Sequence, residues 1–332
     1  MPPPDPHEPE ERTRRYAKDP GEEAFLARLN AHLATVQWAD SEAEATGAEL
    51  PIVYIVGVPR SGTTLLSQLV ARGLAVGYVD QMVARFWLRP VVGVRLSRAI
   101  MGSQVASFIR LESEYGRGLE PSGPHEFGYF WRHWLPYDSA PNHHLDEHAL
   151  ARVDRVGLRR ALRAELLAAF GKPVVFKNVA CGFHGRFLTE VHPQSLFVHL
   201  TRSAEATARS ILKARLDRHG RLEAWWSLKP SSYPFPDLGL DPVRDVVRQV
   251  VDSRQEFRAE LAQPGVRSLE LAYEDVCANP AVAVERIRAG IEGFGCVVAS
   301  RALGPLPLRA SEGPRLSAEL ETRLGAELAD RP

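Results

Sequence analysis

Cysteine is scarce in this chain: Cys181, Cys277 and Cys296 are all of it, too few and too scattered for a disulfide scaffold or a thiolate zinc site. A reducing, cytoplasmic setting is therefore expected. Lysine is nearly as rare. Of 41 basic residues, five are lysines (Lys18, Lys172, Lys177, Lys213, Lys229) and 36 are arginines, most of which read as solvated surface. Net charge is lacking too, because 41 acidic residues balance the 41 basic ones. No global field is present to recruit nucleic acid or an anionic membrane, so any anion site must be local. Long apolar runs are missing as well: no stretch reaches the roughly 18 residues a membrane span requires. The opening MPPPDPHEPEERTRRY has no apolar core of a secretory leader. Neither a membrane nor a nucleic-acid partner is expected.

What is present suffices for a large core, with 332 residues and 45% apolar content. The chain is organised around residues 51–69, PIVYIVGVPRSGTTLLSQL. An apolar, β-branched run from Ile52 to Val56 stops at Gly57, a tight loop follows, and Thr63 and Thr64 open a helix with Leu65, Leu66, Leu69 and Val70 at helical spacing. Strand, loop and helix N-terminus in this order hold phosphate, because turn amides and the positive helix end converge on one point. A nucleoside-triphosphatase loop carries lysine before its final hydroxyl residue. Here Thr63 stands in that place and the cation has moved into the loop, to Arg60. Such a site grips one phosphate or sulfate-bearing group but lacks the part that neutralises a triphosphate's outer end.

Along the rest of the chain, residues 1–20 are Pro-rich and charged and are expected to form a flexible tail. A single α/β domain over 21–332 should follow, with substrate or lid insertions at about 82–148 and 216–240. Helical spacing predicts a leading helix over 22–47, a helix after the loop, two helices within 82–118 and a helix over 149–170. Further helices are expected at 183–191, from 204, at 241–262, 280–291 and 317–328. Strands are expected at 76–81, 174–176, 196–201 and 268–272. The alternation implies a parallel, P-loop-like sheet flanked by helices on both faces. Ligands of such sheets lie beyond the strands' carboxyl ends, so Arg60, Lys177 and Arg202, each following a strand, should share one rim. Residues 120–148 are crowded with aromatics and histidines, and read either as a pocket wall or as a packed surface loop.

Separated segments of the chain resemble motifs of sulfotransferases that use 3′-phosphoadenylyl sulfate (PAPS). Residues 59–66, PRSGTTLL, resemble the 5′-phosphosulfate loop in the arginine-containing form of bacterial and Golgi-type members. Arg202 at a strand end and Ser210 in the following helix resemble the 3′-phosphate site. Residues 271–275, LAYED, before Asn279 and Pro280 resemble the element whose aromatic, here Tyr273, lies near adenine, although Tyr273 reads equally as a packed strand-end residue. Phe176, Lys177 and Asn178 resemble the strand end whose lysine faces the transferring group. The resemblance covers about residues 51–292. It implies transfer of a sulfuryl group from PAPS to a hydroxyl or amine of a small-molecule acceptor, releasing adenosine 3′,5′-bisphosphate and requiring no metal. The aromatic segments 125–137 and 225–235 point to an apolar or aromatic acceptor such as a natural product.

Arg60, Ser61, Gly62, Thr63 and Thr64, with Arg202, Ser210 and Tyr273, would then bind the nucleotide, and Arg60 and Lys177 would stabilise the leaving side. The family's bases do not carry over: Val179 stands where cytosolic members have histidine, and Gln81, beside Asp80, where Golgi-type members have glutamate. His125 and Glu126 are the leading candidates for the base, followed by His184 and Asp80. A kinase or nucleotidase with a degenerate loop, and a nucleotide-binding module without turnover, stay open as alternatives.

Overall fold

The structure, a computed structural model, describes residues 12–36, 49–102, 106, 109–114, 117–118 and 120–330. The elements used below are, in chain order, α1 (Pro20–Thr35), β1 (Ile52–Val56), α2 (Thr63–Gly73), β2 (Gly77–Tyr78), α3 (Pro90–Met101), α4 (Gly128–Trp134), β3 (Val174–Lys177) and β4 (Ser195–Thr201). They continue with α5 (Ala204–His219), α6 (Pro242–Leu261), β5 (Arg267–Ala272), α7 (Tyr273–Ala278), α8 (Pro280–Glu292) and α9 (Ala318–Ala329).

The five strands form one parallel sheet in the order β2-β3-β1-β4-β5. β1 is central and wholly buried, which accounts for its unbroken apolar run: a parallel strand covered on both faces needs no polar alternation. Successive side chains still divide between the faces. Ile52, Tyr54 and Val56 join the larger core with Phe176, Phe197 and helices α4, α5 and α6. Val53 and Ile55 join the second core with Leu66, Leu69 and Val70 of α2 and Ile287 and Ile291 of α8. Register fixes the centre, because Tyr54 pairs with Phe176 on one side and Phe197 on the other. Its ring stacks on both, at centroid distances of 5.7 and 4.8 Å.

The same register aligns the strands' carboxyl ends. Ile55 lies opposite Lys177, Val56 opposite His199, and Thr201 opposite Ala272. The segments leaving β1, β3, β4 and β5 therefore begin side by side, at Gly57, Asn178, Arg202 and Tyr273.

Several elements differ from the sequence expectation, each for a local reason. The strand expected over 76–81 shortens to β2, because the Asp80 carboxylate accepts the Met82 and Val83 amides and starts the turn Val83–Arg85. In place of two helices, 82–118 holds that turn, α3 and a small hairpin pairing Ser113–Glu114 with Arg117–Gly118. The helix expected over 149–170 is interrupted at 152–154, where Asp154 accepts the Gly157 amide and caps a new start. Its continuation includes a π-helical stretch, Ala161–Leu167. α1 ends at Thr35, and 37–48 lie outside the described residues.

Residues 12–19 do not follow the loose-tail expectation. The Thr13 amide and hydroxyl donate to the carbonyls of Arg218 and Asp217, and the Tyr16 hydroxyl donates to Glu114. The expectation otherwise falls on 1–11, outside the described residues. Among the described residues, no helix is long and apolar enough to cross a membrane.

Candidate active site

The loop after β1 is shaped by close contacts. A Cβ on Gly57 would lie 2.5 Å from the Leu200 carbonyl oxygen of β4, and one on Gly62 would lie 2.4 Å from the Tyr273 ring. Gly62 also has φ +99°, the left-handed region glycine enters without strain. Arg60 has φ +72° without that freedom, a strained conformation of the kind that accumulates at ligand clamps. No side chain caps α2, and the first-turn amides of such a helix, with its positive dipole end, are an anion-binding arrangement. Ser61 Oγ is buried there with no hydrogen-bond partner among the described residues.

On the β4 and β5 side of the loop, four predicted residues meet. Arg60 Nε donates to Ser210 Oγ at 2.9 Å, and Arg202 Nη1 donates to the Arg60 carbonyl at 2.8 Å. The Arg202 guanidinium lies 4.6 Å from the centroid of the Tyr273 ring, a cation–π contact. Burial lowers the Arg202 pKa, and its Nε has no hydrogen-bond partner among the described residues. A guanidinium desolvated in this way is stabilised by an incoming anion. The Arg60 head, expected beside the transferring group, thus stands at the Ser210 end of the site instead.

Lys177 lies on the opposite side of the loop. Its side chain is only 1% exposed, and Nζ sits 3.2 Å from Thr64 Oγ1 and 2.9 Å from Glu126 Oε1. A lysine so buried requires partners, and it shares one with the phosphate loop. Glu126, at 45% side-chain exposure, reaches into the cleft from 120–148. Its carbonyl accepts from Asn178 Nδ2, and Asn178 Oδ1 accepts the Ala180 and Cys181 amides. The next residue, Phe127, has φ +55° and stacks on Phe130 at 4.6 Å. Packing of Phe127 sustains a backbone turn that directs Glu126 toward Lys177.

The other candidate bases differ in their surroundings. His125 Nδ1 accepts the Phe127 amide at 2.9 Å, so the neutral ring carries its proton on Nε2 and has its lone pair engaged. Asp80 serves the turn described above and also accepts from Ser97. His184 is fully buried, bonds the His143 carbonyl at 3.0 Å, and has its pKa pushed by burial down to about 3. Neither Asp80 nor His184 borders the cleft.

The cleft has a volume of about 990 Å³. One arm is bordered by Arg202, Ser210 and Tyr273, and the other by Leu26, Trp87, Glu126 and Tyr129. Segment 220–241 contributes Trp226 and Ser227 to the wall, and is pinned by bonds such as His143 N to the Lys229 carbonyl. Two lining segments escaped the sequence reading. Residues 17–19 come from the supposed tail, and Ser311, Gly313 and Pro314 from the run before α9. The latter is carried back by pairing of Leu74 with Ser300, and Ser311 accepts from Arg202 through its carbonyl. The Gly–Pro pair at 313–314 was the available signal for a turn; nothing in the composition of 12–19 pointed to the cleft.

A parallel sheet whose central strand feeds a glycine loop and an uncapped helix, with arginine and lysine at the neighbouring strand ends, defines an α/β protein of the P-loop-like type. More narrowly, the chain belongs to the sulfotransferase family, whose model matches residues 51–292. No curated protein matches the chain. Among solved structures, it is similar to sulfotransferase STF1 from Mycobacterium tuberculosis H37Rv at 18% identity, covering 94% of this chain and 82% of that one with a TM-score of 0.48. Sulfotransferase STF9 from Mycobacterium avium matches at 15% identity over 95% of this chain and 78% of that one, with a TM-score of 0.47. The sulfotransferase domain from the curacin biosynthetic pathway matches at 15% identity, with coverages of 82% and 83% and a TM-score of 0.40.

Proposed function

We propose that this chain transfers the sulfuryl group of PAPS to a hydroxyl of a small, uncharged acceptor with aromatic or apolar character, releasing adenosine 3′,5′-bisphosphate. The observation that carries the reading is the division of the loop's surroundings. Arg60, Arg202, Ser210 and Tyr273 gather on one side of it, and a Lys177–Glu126 pair stands on the other.

The residues fit the nucleotide. Arg202, Arg60 and Ser210 suit the 3′-phosphate through charge-assisted hydrogen bonds, with Tyr273 beside the base. Ser61, Gly62, Thr63 and Thr64 suit the 5′ end. When bound, PAPS supplies a sulfuryl group on a phosphate oxygen that can leave with the bonding electron pair. Lys177 holds positive charge beside Thr64, where that oxygen's charge would develop. Glu126 takes the proton from the acceptor hydroxyl as the oxygen–sulfur bond forms. His125, with Nδ1 engaged by the Phe127 amide, is left out of proton transfer.

Two features favour this reading over a kinase. Thr63 occupies the place of the triphosphate-binding lysine, and the strands flanking β1 run into Lys177 and Arg202, where a magnesium-dependent enzyme requires an acid. The acceptor class follows from the second arm. Three of its cations are matched by carboxylates, Lys18 with Glu23 at 3.4 Å, Arg85 with Glu22 at 3.4 Å and Arg132 with Asp138 at 3.0 Å. Leu26, Trp87 and Tyr129 supply apolar surface between them, an arrangement unsuited to a polyanionic glycan.

The test is thermal stability with adenosine 3′,5′-bisphosphate against ATP plus magnesium. Bisphosphate at about 100 times its Kd is expected to add roughly 2.7 kcal/mol, and Arg202→Ala should abolish the gain. Stabilisation by ATP and magnesium alone would overturn the reading in favour of a kinase. Bisphosphate binding without PAPS turnover on any phenol or alcohol would leave a nucleotide-binding module.

A further inference from the structure

The second arm of the cleft is closed by residues that precede the family-matched region of 51–292. Ala17, Lys18, Asp19, Glu22, Glu23 and Leu26 all border it. The segment 12–19 borders the cleft through Ala17, Lys18 and Asp19 and is tied down at three places. At one end, Thr13 bonds the carbonyls of Arg218 and Asp217 at the end of α5, at 2.7 and 2.8 Å. In the middle, the Tyr16 hydroxyl donates to Glu114 of the hairpin at 2.8 Å, while the Arg218 guanidinium lies 5.1 Å from the Tyr16 ring centroid. At the other end, Lys18 Nζ donates to the Tyr129 hydroxyl of α4 at 2.6 Å, and that hydroxyl donates to Glu23.

These ties are polar, and Ala17, Lys18 and Asp19 are exposed. A segment held by solvent-accessible hydrogen bonds and little apolar burial opens at low cost compared with the core. Beneath it the surface changes character. Leu26 and Trp87 are each only 9% exposed, and the Trp87 and Tyr129 rings lie 4.8 Å apart at 39°. The floor of the arm is thus an aromatic and aliphatic shelf, and its roof is a releasable polar strap.

We infer that residues 12–26 are the acceptor-selecting element of this protein: the shelf of Leu26, Trp87 and Tyr129 takes a neutral aromatic ring, and the strap limits the size of ring admitted. The inference rests on the sulfotransferase reading for the word acceptor, but the ring-binding site stands on the arm's own lining. Lys18, Arg85 and Arg132 around the mouth are each matched by a carboxylate of the protein, so an ionised ligand would lose solvation and gain little from them. A neutral ring gains from burial against the shelf.

The test uses the full chain with the strap's side-chain ties cut and its shape kept, as Thr13→Val, Tyr16→Phe and Lys18→Met together. Binding of 2-naphthol and of the larger 1-hydroxypyrene to the bisphosphate complex is measured by equilibrium dialysis, alongside amide hydrogen exchange of residues 12–19. The expected result is faster exchange across the strap, an unchanged bisphosphate-induced thermal shift, and a change of fivefold or more in the ratio of the two Kd values in favour of the larger phenol. An unchanged ratio with a released strap overturns the inference. So does unaltered exchange, which would mean that these ties do not hold the segment, or failure of 2-naphthol to bind the wild-type complex. A shifted ratio without PAPS turnover would sink sulfuryl transfer while leaving the ring site standing.

Discussion

At the scale of single residues, the site turns on one ion pair. Lys177 Nζ is shared between Thr64 Oγ1 and Glu126 Oε1, so one buried cation touches both the phosphate loop and the proposed base. Replacing Glu126 with Gln keeps the side chain's size and removes its ability to accept a proton. For E126Q, kcat with a phenolic acceptor is expected to fall about 10²- to 10⁴-fold, the usual worth of a positioned base, with the bisphosphate-induced thermal shift retained. Lys177→Met removes charge stabilisation of the leaving oxygen, and kcat should fall about 10²- to 10³-fold. Because the two groups act on one another, the double variant should lose less than the product of the single losses. Losses that simply multiply would show that the pair does not function as a unit. A kcat for E126Q within twofold of wild type would place the base elsewhere.

At the scale of elements, the loop between β1 and α2 is clamped by Tyr273, the first residue of α7 just past the end of β5. A Cβ at Gly62 would lie 2.4 and 2.9 Å from two atoms of that ring, and φ there is +99°. Gly62→Ala should therefore destabilise the fold by about 1–3 kcal/mol, the order of cost for a residue forced into a sparsely populated conformation. It should also displace Tyr273 and Arg202, weakening bisphosphate binding at least tenfold. A urea titration with and without bisphosphate reads both; normal affinity in G62A would detach Tyr273 from the nucleotide site. This clamp joins residues more than two hundred positions apart, yet both ends were legible in sequence. The glycine loop and the aromatic at a strand end each sit at an element boundary, where local chemistry is strongly constrained. The centre of the sheet was legible for the same reason, since β1, β3 and β4 are buried runs ending in Gly57, Asn178 and Arg202. What stayed hidden was tertiary. No periodicity shows that Arg60 turns to Ser210 or that Phe127 adopts φ +55° to aim Glu126. Nor does composition reveal that a charged, proline-rich leader docks from Thr13 onward, because its polar groups find their partners only in the folded chain.

At the scale of the whole molecule, stability should depend steeply on pH on the acid side. Burial pushes the His184 pKa down to about 3 and the His199 pKa down to about 4, the latter despite Glu270 at 3.1 Å. Burial lowers His192 as well. Both His184 and His199 have folded values below the unfolded value of about 6.5. The unfolded chain therefore takes up protons that the folded chain refuses as pH drops below 6.5. The stabilisation is fully present above that value and is lost progressively toward pH 4 and 3. Each histidine should cost about 1.4 kcal/mol between pH 7.5 and 5.5, and about 1.4 kcal/mol for each further unit until its folded pKa is reached. The two together thus remove about 3 kcal/mol by pH 5.5, a large part of the stability typical of a domain. Urea midpoints at pH 7.5 and 5.5 measure the effect, and His199→Gln isolates one contributor. The variant should close about half of the gap between the two pH values, since glutamine keeps a polar group near Glu270 and has no proton to gain. An unchanged gap in H199Q would mean that His199 is protonated inside the fold, with Glu270 outweighing burial. The aromatic contact with Phe257, 5.7 Å away and edge-on, would then be made by an imidazolium.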